Sequence, residues 1–155
     1  MYSIKNILVP VDFSPCSINA LQYAAAIASI FKSSLSLLYV DNKSTVTVVN
    51  GKKSDAESAL KELLKASYLN GIKTSSHVGH GNITREILSA QSGFQADLII
   101  MGTLGANQLN RKLFGTNSAN VIQDAHCPVW VVPEGNTFTG ISKTVFATDM
   151  STPNL

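Results

Sequence analysis

Short apolar runs alternate with segments of helical periodicity along this chain, and that alternation restricts the fold more than any other feature. Ile7-Leu8-Val9-Pro10-Val11 is a compact apolar run followed by Asp12-Phe13-Ser14-Pro15. A serine followed by proline is a helix-start signal, a hydroxyl N-cap with proline at the first helical position. The helix it opens runs to about Lys32, with Ile18, Leu21, Ala25, Ala28 and Phe31 at helical spacing. Ser34 to Val40 reads as a second strand. Residues 41–53 are polar and irregular, with a small β-rich patch at Thr45 to Val49. Ser54 to Asn70 reads as a helix with Leu60, Leu63 and Leu64 on one face, and Gly71 stands where a C-cap glycine belongs.

The second half repeats the scheme. Ile72 to Val78 is a weaker strand. Asn82 caps a third helix that reaches about Ser92, with Gly93 at its end. Asp97 to Met101 has the most buried character of all the strands. A glycine-bearing loop, Gly102 to Gly115, leads to a helix from about Thr116 to Asp124, and Pro128 to Val132 is the fifth strand. Apolar runs that lack period-2 alternation suit parallel strands covered on both faces. Connections of this length are right-handed crossovers. The expected fold is α/β: an open, doubly wound, parallel five-stranded sheet of order 3-2-1-4-5 with helices on both faces.

Composition narrows the class. The 155 residues are 45% hydrophobic and 14% charged, which suits one globular domain and excludes a disordered chain. Twelve Lys plus Arg against ten Asp plus Glu leave a net charge of +2, with no basic run, so no nucleic-acid partner is expected. No apolar stretch approaches the roughly 18 residues of a membrane helix, so no membrane partner is expected either. Met1-Tyr2-Ser3-Ile4-Lys5-Asn6 lacks the regions of a signal peptide, and a cytoplasmic location is the expectation. Cys16 and Cys127 form no C-x-x-C, and His77, His80 and His126 show no zinc spacing with them, so free thiols and no structural metal are expected.

In an open α/β sheet, ligands bind beyond the carboxyl ends of the strands, where strand order reverses. The loops after the first and fourth strands, Pro10 to Ser14 and Met101 to Gly105, would line that crevice. The second of them reads Gly102-x-x-Gly105, nine residues, then Gly115-Thr116-Asn117-Ser118 at the start of a helix. Glycines permit close backbone approach, and a helix N-terminus offers unpaired N–H groups and a positive dipole end to phosphate. The hydroxyls of Thr116 and Ser118 would add donors. Equally, these glycines read as turn residues and Thr116 or Ser118 as an N-cap. There is no Walker loop, no G-x-G-x-x-G after the first strand, and no G-x-S-x-G elbow around any serine, Ser14 included. Cys16 reads as packing in the first turn of a helix, and His77 and His80 as surface residues.

On these residues the sequence resembles the universal stress protein family, whose signature is G-x-x-G, nine residues, G-[S/T]. Gly102, Gly105, Gly115 and Thr116 fit it without a gap. The stretches from Ile7 to Ser14, Ala96 to Thr103 and Cys127 to Pro133 also look like the family, and the resemblance covers roughly residues 3–133. Leu104 departs from it, since many members place His or another polar residue there. The resemblance implies ATP binding in a stress-response or regulatory module rather than a known catalytic reaction, and no catalytic residue is named. It places Asp12 beside the adenosine, Pro10 and Val11 as walls of the base, and the Val40 backbone against adenine. Met101 and Gly102 would back the ribose, and Gly105 would let the loop approach the phosphates. Gly115, Thr116, Asn117 and Ser118 would hold the phosphates.

Asp12 near phosphate implies a sugar hydroxyl or a shared divalent metal as its partner, so Mg is expected with ATP. Arg111 and Lys112 are candidates for phosphate contact and more commonly solvated. A homodimer through the fifth-strand edge is expected, because a short apolar edge seeks a partner. Two other readings stand beside this one. One is a dimerising interaction protein of the same fold without nucleotide, and the other a slow ATP hydrolase, expected to be weak because no positioned general base is legible. Finally, Val145 to Ser151 parallels Leu8 to Ser14 in strand character and in its Asp-x-Ser ending. The expected organisation is one nucleotide-binding domain over residues 1–135, then a linker and the possible first strand of a truncated second copy over 136–155.

Overall fold

The computed structural model describes residues 3–42, 47–49, 52–103, 116–135 and 137–145. In chain order the elements are β1 (Asn6–Pro10), α1 (Pro15–Phe31), β2 (Ser34–Asp41), β3 (Thr47–Val49), β4 (Lys52–Ser54) and α2 (Ala56–Leu63). A 3-10 turn (Ser67–Leu69) precedes β5 (Thr74–His80), α3 (Ile83–Gly93), β6 (Leu98–Gly102), α4 (Thr116–Asp124) and β7 (Val129–Val132). Five strands form one parallel sheet in the order β5-β2-β1-β6-β7. With the β3–β4 hairpin set aside, this is the expected order 3-2-1-4-5.

The alternation of side chains along each parallel strand sorts the core into two layers. Ile7, Val9, Leu35, Leu37, Leu98 and Ile100 face α1, α2 and the 3-10 turn. Leu8, Leu38, Ile99 and Met101 face the opposite way, against Ile87 of α3 and Val121 of α4. Helix α1 buries Ala20, Ala24, Ala25 and Ala28 beside Leu21 and Ile27, and these small side chains let it lie close on the sheet. At the amino end of the sheet, the Asp97 carboxylate accepts from the backbone N–H groups of Lys5 and Asn6 at 2.8 and 2.9 Å, which ties the start of β1 to β6.

Local signals set most boundaries. Ser14 is the N-cap of α1, accepting from the Ser17 N–H at 3.2 Å, and Pro15 occupies the first turn. Asn82 caps α3 by accepting from the Arg85 N–H at 3.0 Å. Two expectations need correction. Helix α2 starts at Ala56 and ends at Leu63, not Asn70. Asp55 caps it by accepting from the Ser58 N–H at 2.7 Å, and its last bonds tighten to Lys65 N–H on Glu62 O and Ala66 N–H on Leu63 O. Ala66 then leaves the helix in an extended conformation, and the 3-10 turn brings Leu69 to 3% exposure in the core. Gly71, at φ +81°, follows that turn rather than α2. Gly93 ends α3 as expected, and the left-handed residue that follows is Gln95 at φ +49°. The patch near Thr45 has a partner the sequence did not reveal, since Thr47–Val49 pairs antiparallel with Lys52–Ser54.

After β7 the chain follows α1. The Asn19 side-chain amide donates to Pro133 O at 3.0 Å, and Phe138 meets Tyr23 edge-on with centroids 5.3 Å apart. Residues 137–145 carry neither helix nor strand, and Val145 is 90% exposed. Most of the expected second-copy strand, residues 146–151, lies outside the described residues. No helix among the described residues is long and apolar enough to cross a membrane.

Ser14→Ala removes the α1 cap, and we expect it to cost about 1 kcal/mol in chemical denaturation. Ser14→Thr, which retains a capping oxygen, is expected to recover most of that loss.

Candidate functional site

The crevice begins where β1 stops pairing. Pro10 lies opposite Leu38, and one further bond, Val11 N–H to Leu38 O at 2.8 Å, ends the ladder. The chain then turns sharply. Asp12 Oδ1 accepts from the Ser14 N–H at 3.0 Å and from the Ser14 hydroxyl, while the Asp12 N–H donates to Ser17 Oγ at 3.3 Å. This is an Asx turn laid on a helix start. It forces Phe13 to φ +62°, an uncommon conformation for a bulky residue, and the ring is braced against Tyr39 at 5.2 Å. Asp12 is thereby held at the carboxyl end of β1.

Because β1 turns away, β2 runs past it. Alternate residues of a strand direct both N–H and C=O to the same side, so Val40, two beyond Leu38, directs its pair at the gap β1 leaves. The Val40 side chain packs in the layer of α3 and α4, with Leu38 and Met101. Val11 points the other way, 4% exposed among the residues facing α1. Its side chain does not reach the crevice, so a wall on this side would come from Pro10 and not from Val11.

On the far side of the gap, β6 ends at Gly102. A Cβ here would lie 2.7 Å from Cys16 Sγ and 3.1 Å from the Cys16 backbone C and O, so glycine is required by the close approach of α1. Cys16 is 3% exposed, with Sγ 3.7 Å from Thr103 Oγ1 and from Val132 O. Its role is packing. The Ser118 hydroxyl donates to Gly102 O at 3.0 Å, so α4 is anchored at its first turn to the end of β6. That bond uses the hydroxyl proton, leaving Ser118 its backbone N–H but no side-chain donor for a ligand. Thr116 and Asn117 are exposed at the same helix end, and no acidic residue lies in the first turn of α4. Gly105 and Gly115, together with Leu104, Arg111 and Lys112, lie outside the described residues.

The structure therefore brings Pro10, Asp12, Val40, Met101, Gly102, Thr116, Asn117 and Ser118 around one crevice at the strand-order reversal. The histidines do not join it. His77 stacks on Phe94 at 4.3 Å, and His80 lies on the opposite face of β5, in a groove beside α2. No cluster of three or more His, Cys, Asp or Glu positioned for a metal ion occurs among the described residues. Burial pushes the Cys127 thiol up, the Asp97 charge adds to this, and a hydrogen bond to the Ile99 backbone opposes it. Sequence reasoning missed the Ser118–Gly102 bond and a carboxylate, Glu86, in the first turn of α3. The only sequence signal for Glu86 was an acid shortly after the Asn82 cap.

A doubly wound parallel sheet whose strand order reverses at β1, with a helix N-terminus tethered to the end of the neighbouring β6, is an α/β architecture that can take a ligand at its switch point. The chain belongs to the universal stress protein family, whose model matches residues 3–133. A universal stress protein of Methanocaldococcus jannaschii is 33% identical over 138 residues, covering 83% of this chain and 81% of that one. The solved structure of UspA from Lactobacillus plantarum aligns with a TM-score of 0.65 at 26% identity, over 84% of this chain and 98% of that one. Two further structures share the fold at lower identity. One is a universal stress protein in complex with cAMP, with a TM-score of 0.66 at 18% identity over 84% and 97% of the two chains. The other is from Archaeoglobus fulgidus in complex with dAMP, with a TM-score of 0.57 at 19% identity over 84% and 98%.

Two outcomes test this geometry. Gly102→Ala is expected to cost about 1–3 kcal/mol by overpacking, and Cys16→Ala to recover only part of it, because the Cys16 backbone also crowds the site. A double-mutant cycle in denaturant measures the coupling. Cys127, with its thiol raised, is expected to react with iodoacetamide more slowly than a free thiol at pH 8, the gap closing as pH rises. Mass spectrometry of timed alkylation reads this.

Proposed function

We propose that this chain binds an adenine nucleotide, ATP, in the crevice between the carboxyl ends of β1 and β6 and acts as a nucleotide-responsive stress or regulatory module. One observation carries the reading: the N-terminus of α4, free of acidic residues in its first turn, is tethered through Ser118 to the last residue of β6, across the gap from the open main chain of Val40. An anion fits the first, and a flat ring with donors and acceptors on one edge fits the second. The structural neighbours that hold cAMP and dAMP support an adenine ligand. Pro10 walls the base, Val40 N–H and C=O meet its polar edge, and Met101 and Gly102 back the ribose. The N–H groups of Thr116, Asn117 and Ser118, with Gly105 and Gly115 of the connecting loop, take the phosphates.

Magnesium fits the donor set. Asp12 offers a hard carboxylate oxygen at the crevice, and Mg is commonly held by one or two carboxylates plus substrate phosphates. When bound, the ion neutralises phosphate charge. Asp12, oriented by Ser14, would hold it.

The module is proposed to pair as a homodimer through β7, which forms one edge of the sheet and presents Val129, Trp130 and Val131 partly exposed. Light scattering at micromolar concentration is expected to give twice the chain mass; a monomer mass at all concentrations removes this part of the proposal.

The nucleotide reading is tested by calorimetry with MgATP and adenosine on the wild type and on Asn117→Glu. The substitution puts a carboxylate on an exposed position in the first turn of α4. ATP affinity is expected to fall at least about tenfold while adenosine binding holds. No binding of either compound by the wild type would favour the interaction protein without nucleotide.

A further inference from the structure

Two aromatic residues are chain neighbours of the two groups that border the gap between β1 and β2. Phe13 follows Asp12, and Tyr39 precedes Val40. Their rings meet with centroids 5.2 Å apart and planes at 39° to one another. Both rings are half-buried and pack at the margin of the sheet layer that faces α1 and α2. Val40, of the next parity along β2, packs in the opposite layer, the one that holds Val121 of α4. The ring pair therefore crosses from the β1 turn to β2 on the face of the sheet away from α4.

The pair lies just past the end of the β1–β2 ladder. Pro10 is the last residue of β1 in register with β2, opposite Leu38, and the bond from Val11 N–H to Leu38 O closes the ladder. The Asp12 N–H turns instead to Ser17 Oγ. The two segments part there, and the ring contact ties them together again. Strand β2 is held by β5 as far as Asp41, which is in register with His80, so Tyr39 is the fixed member of the pair. Phe13 is the placed member. Its φ of +62° is a conformation that glycine and asparagine take readily and a bulky residue does not. The Asx bonds from Ser14 to Asp12 Oδ1 set the turn and require no bulky side chain at the next position. A large residue that keeps a strained backbone is held by its contacts, here the Tyr39 ring and the margin of the α1 layer.

We propose that Phe13 and Tyr39 form a positioning clamp for the nucleotide, acting through Asp12. The clamp fixes the turn that carries the carboxylate against the strand whose main chain at Val40 would meet the base. The base end of the site and the carboxylate end then keep one separation before any ligand arrives. Neither ring has to touch the ligand. Without the clamp the Asx turn still forms, but it shifts relative to β2, and Asp12 is less often where it meets a ribose hydroxyl or magnesium. Binding then carries the added cost of ordering the turn.

This inference rests on the nucleotide reading above, and the experiment separates the two. Dissociation constants for MgATP are measured by calorimetry on the wild type, Asp12→Asn, Phe13→Gly, Tyr39→Leu and Phe13→Tyr, and on Phe13→Gly and Tyr39→Leu each combined with Asp12→Asn. Glycine removes the ring and accepts the positive φ, so the turn is not strained by the change. Asparagine at position 12 keeps the Oδ1 acceptor of the Asx turn and removes the charge. Asp12→Asn is expected to weaken MgATP at least about tenfold, and Phe13→Gly at least about fivefold. Tyr39→Leu is expected to reproduce the Phe13→Gly loss, and it carries the test if that variant fails to fold. Because the rings act through Asp12, each combined variant is expected to stay within about twofold of Asp12→Asn alone. Phe13→Tyr, which keeps the ring, is expected to stay within about twofold of the wild type. A wild type that binds no ATP overturns the nucleotide reading and this inference with it. Additive losses in the combined variants, unchanged affinity in Phe13→Gly and Tyr39→Leu, or an Asp12→Asn variant that binds as the wild type does overturn the clamp alone and leave the crevice as a nucleotide site.

Discussion

Strand β1 is paired along its full length with β2 and, at Ile7 and Leu8, with β6, while α1 covers one of its faces and the Leu8 layer fills the other. Every other element takes its position from this doubly buried strand. Parallel strands all end at the same edge of the sheet, and β1 is where the order reverses. The Asx turn at Asp12 bends β1 out of the sheet while β2 continues to Asp41. The crevice is that difference in length, made permanent by helix capping at Ser14 and by the strained backbone at Phe13.

The close approach of α1 has a second consequence. Small buried side chains bring the helix onto the sheet, and its first turn then touches the end of β6 through Cys16. Gly102 is needed for that contact as much as for any ligand. The end of β6 is in turn bonded to α4 through Ser118. A chain of direct contacts thus runs from the β1 turn through α1 and β6 to the N-terminus of α4. A change of packing under α1 would be felt at that helix end.

The fold was legible because each parallel strand is a short, continuous apolar run and each crossover helix has its own cap. Ser14-Pro15 and Asn82 set their helices by local hydrogen bonds that any reader of the chain can place. Helix α2 was misjudged because Leu60, Leu63 and Leu64 share one helical face and no glycine or proline interrupts the chain before Gly71, whereas Leu69, which such a helix would turn to the opposite side, reaches the core through a separate 3-10 turn. Periodicity reports which residues go inward, and it does not report whether one hydrogen-bonding pattern carries them all. The β3–β4 pairing was hidden because Lys52–Ser54 has no apolar character of its own.

Within the site, the glycines and the residues that follow them could be named from sequence, because turn and helix-start chemistry is local. What each group does there was decided by neighbours far along the chain. Ser118 gives its hydroxyl proton to Gly102, sixteen residues away, so its side chain is a tether and only its backbone N–H is left to donate. Val11 faces α1 because strand parity, set by the whole sheet, turns it inward. Glu86 comes to lie across Gly79 only because α3 packs back over β5. The sequence alone determined the family, the strand order and the glycine signature, since these rest on local patterns of size and polarity. The tertiary structure decided which polar groups are already satisfied and which face the gap, since hydrogen bonds between distant segments form only once the sheet has set their register.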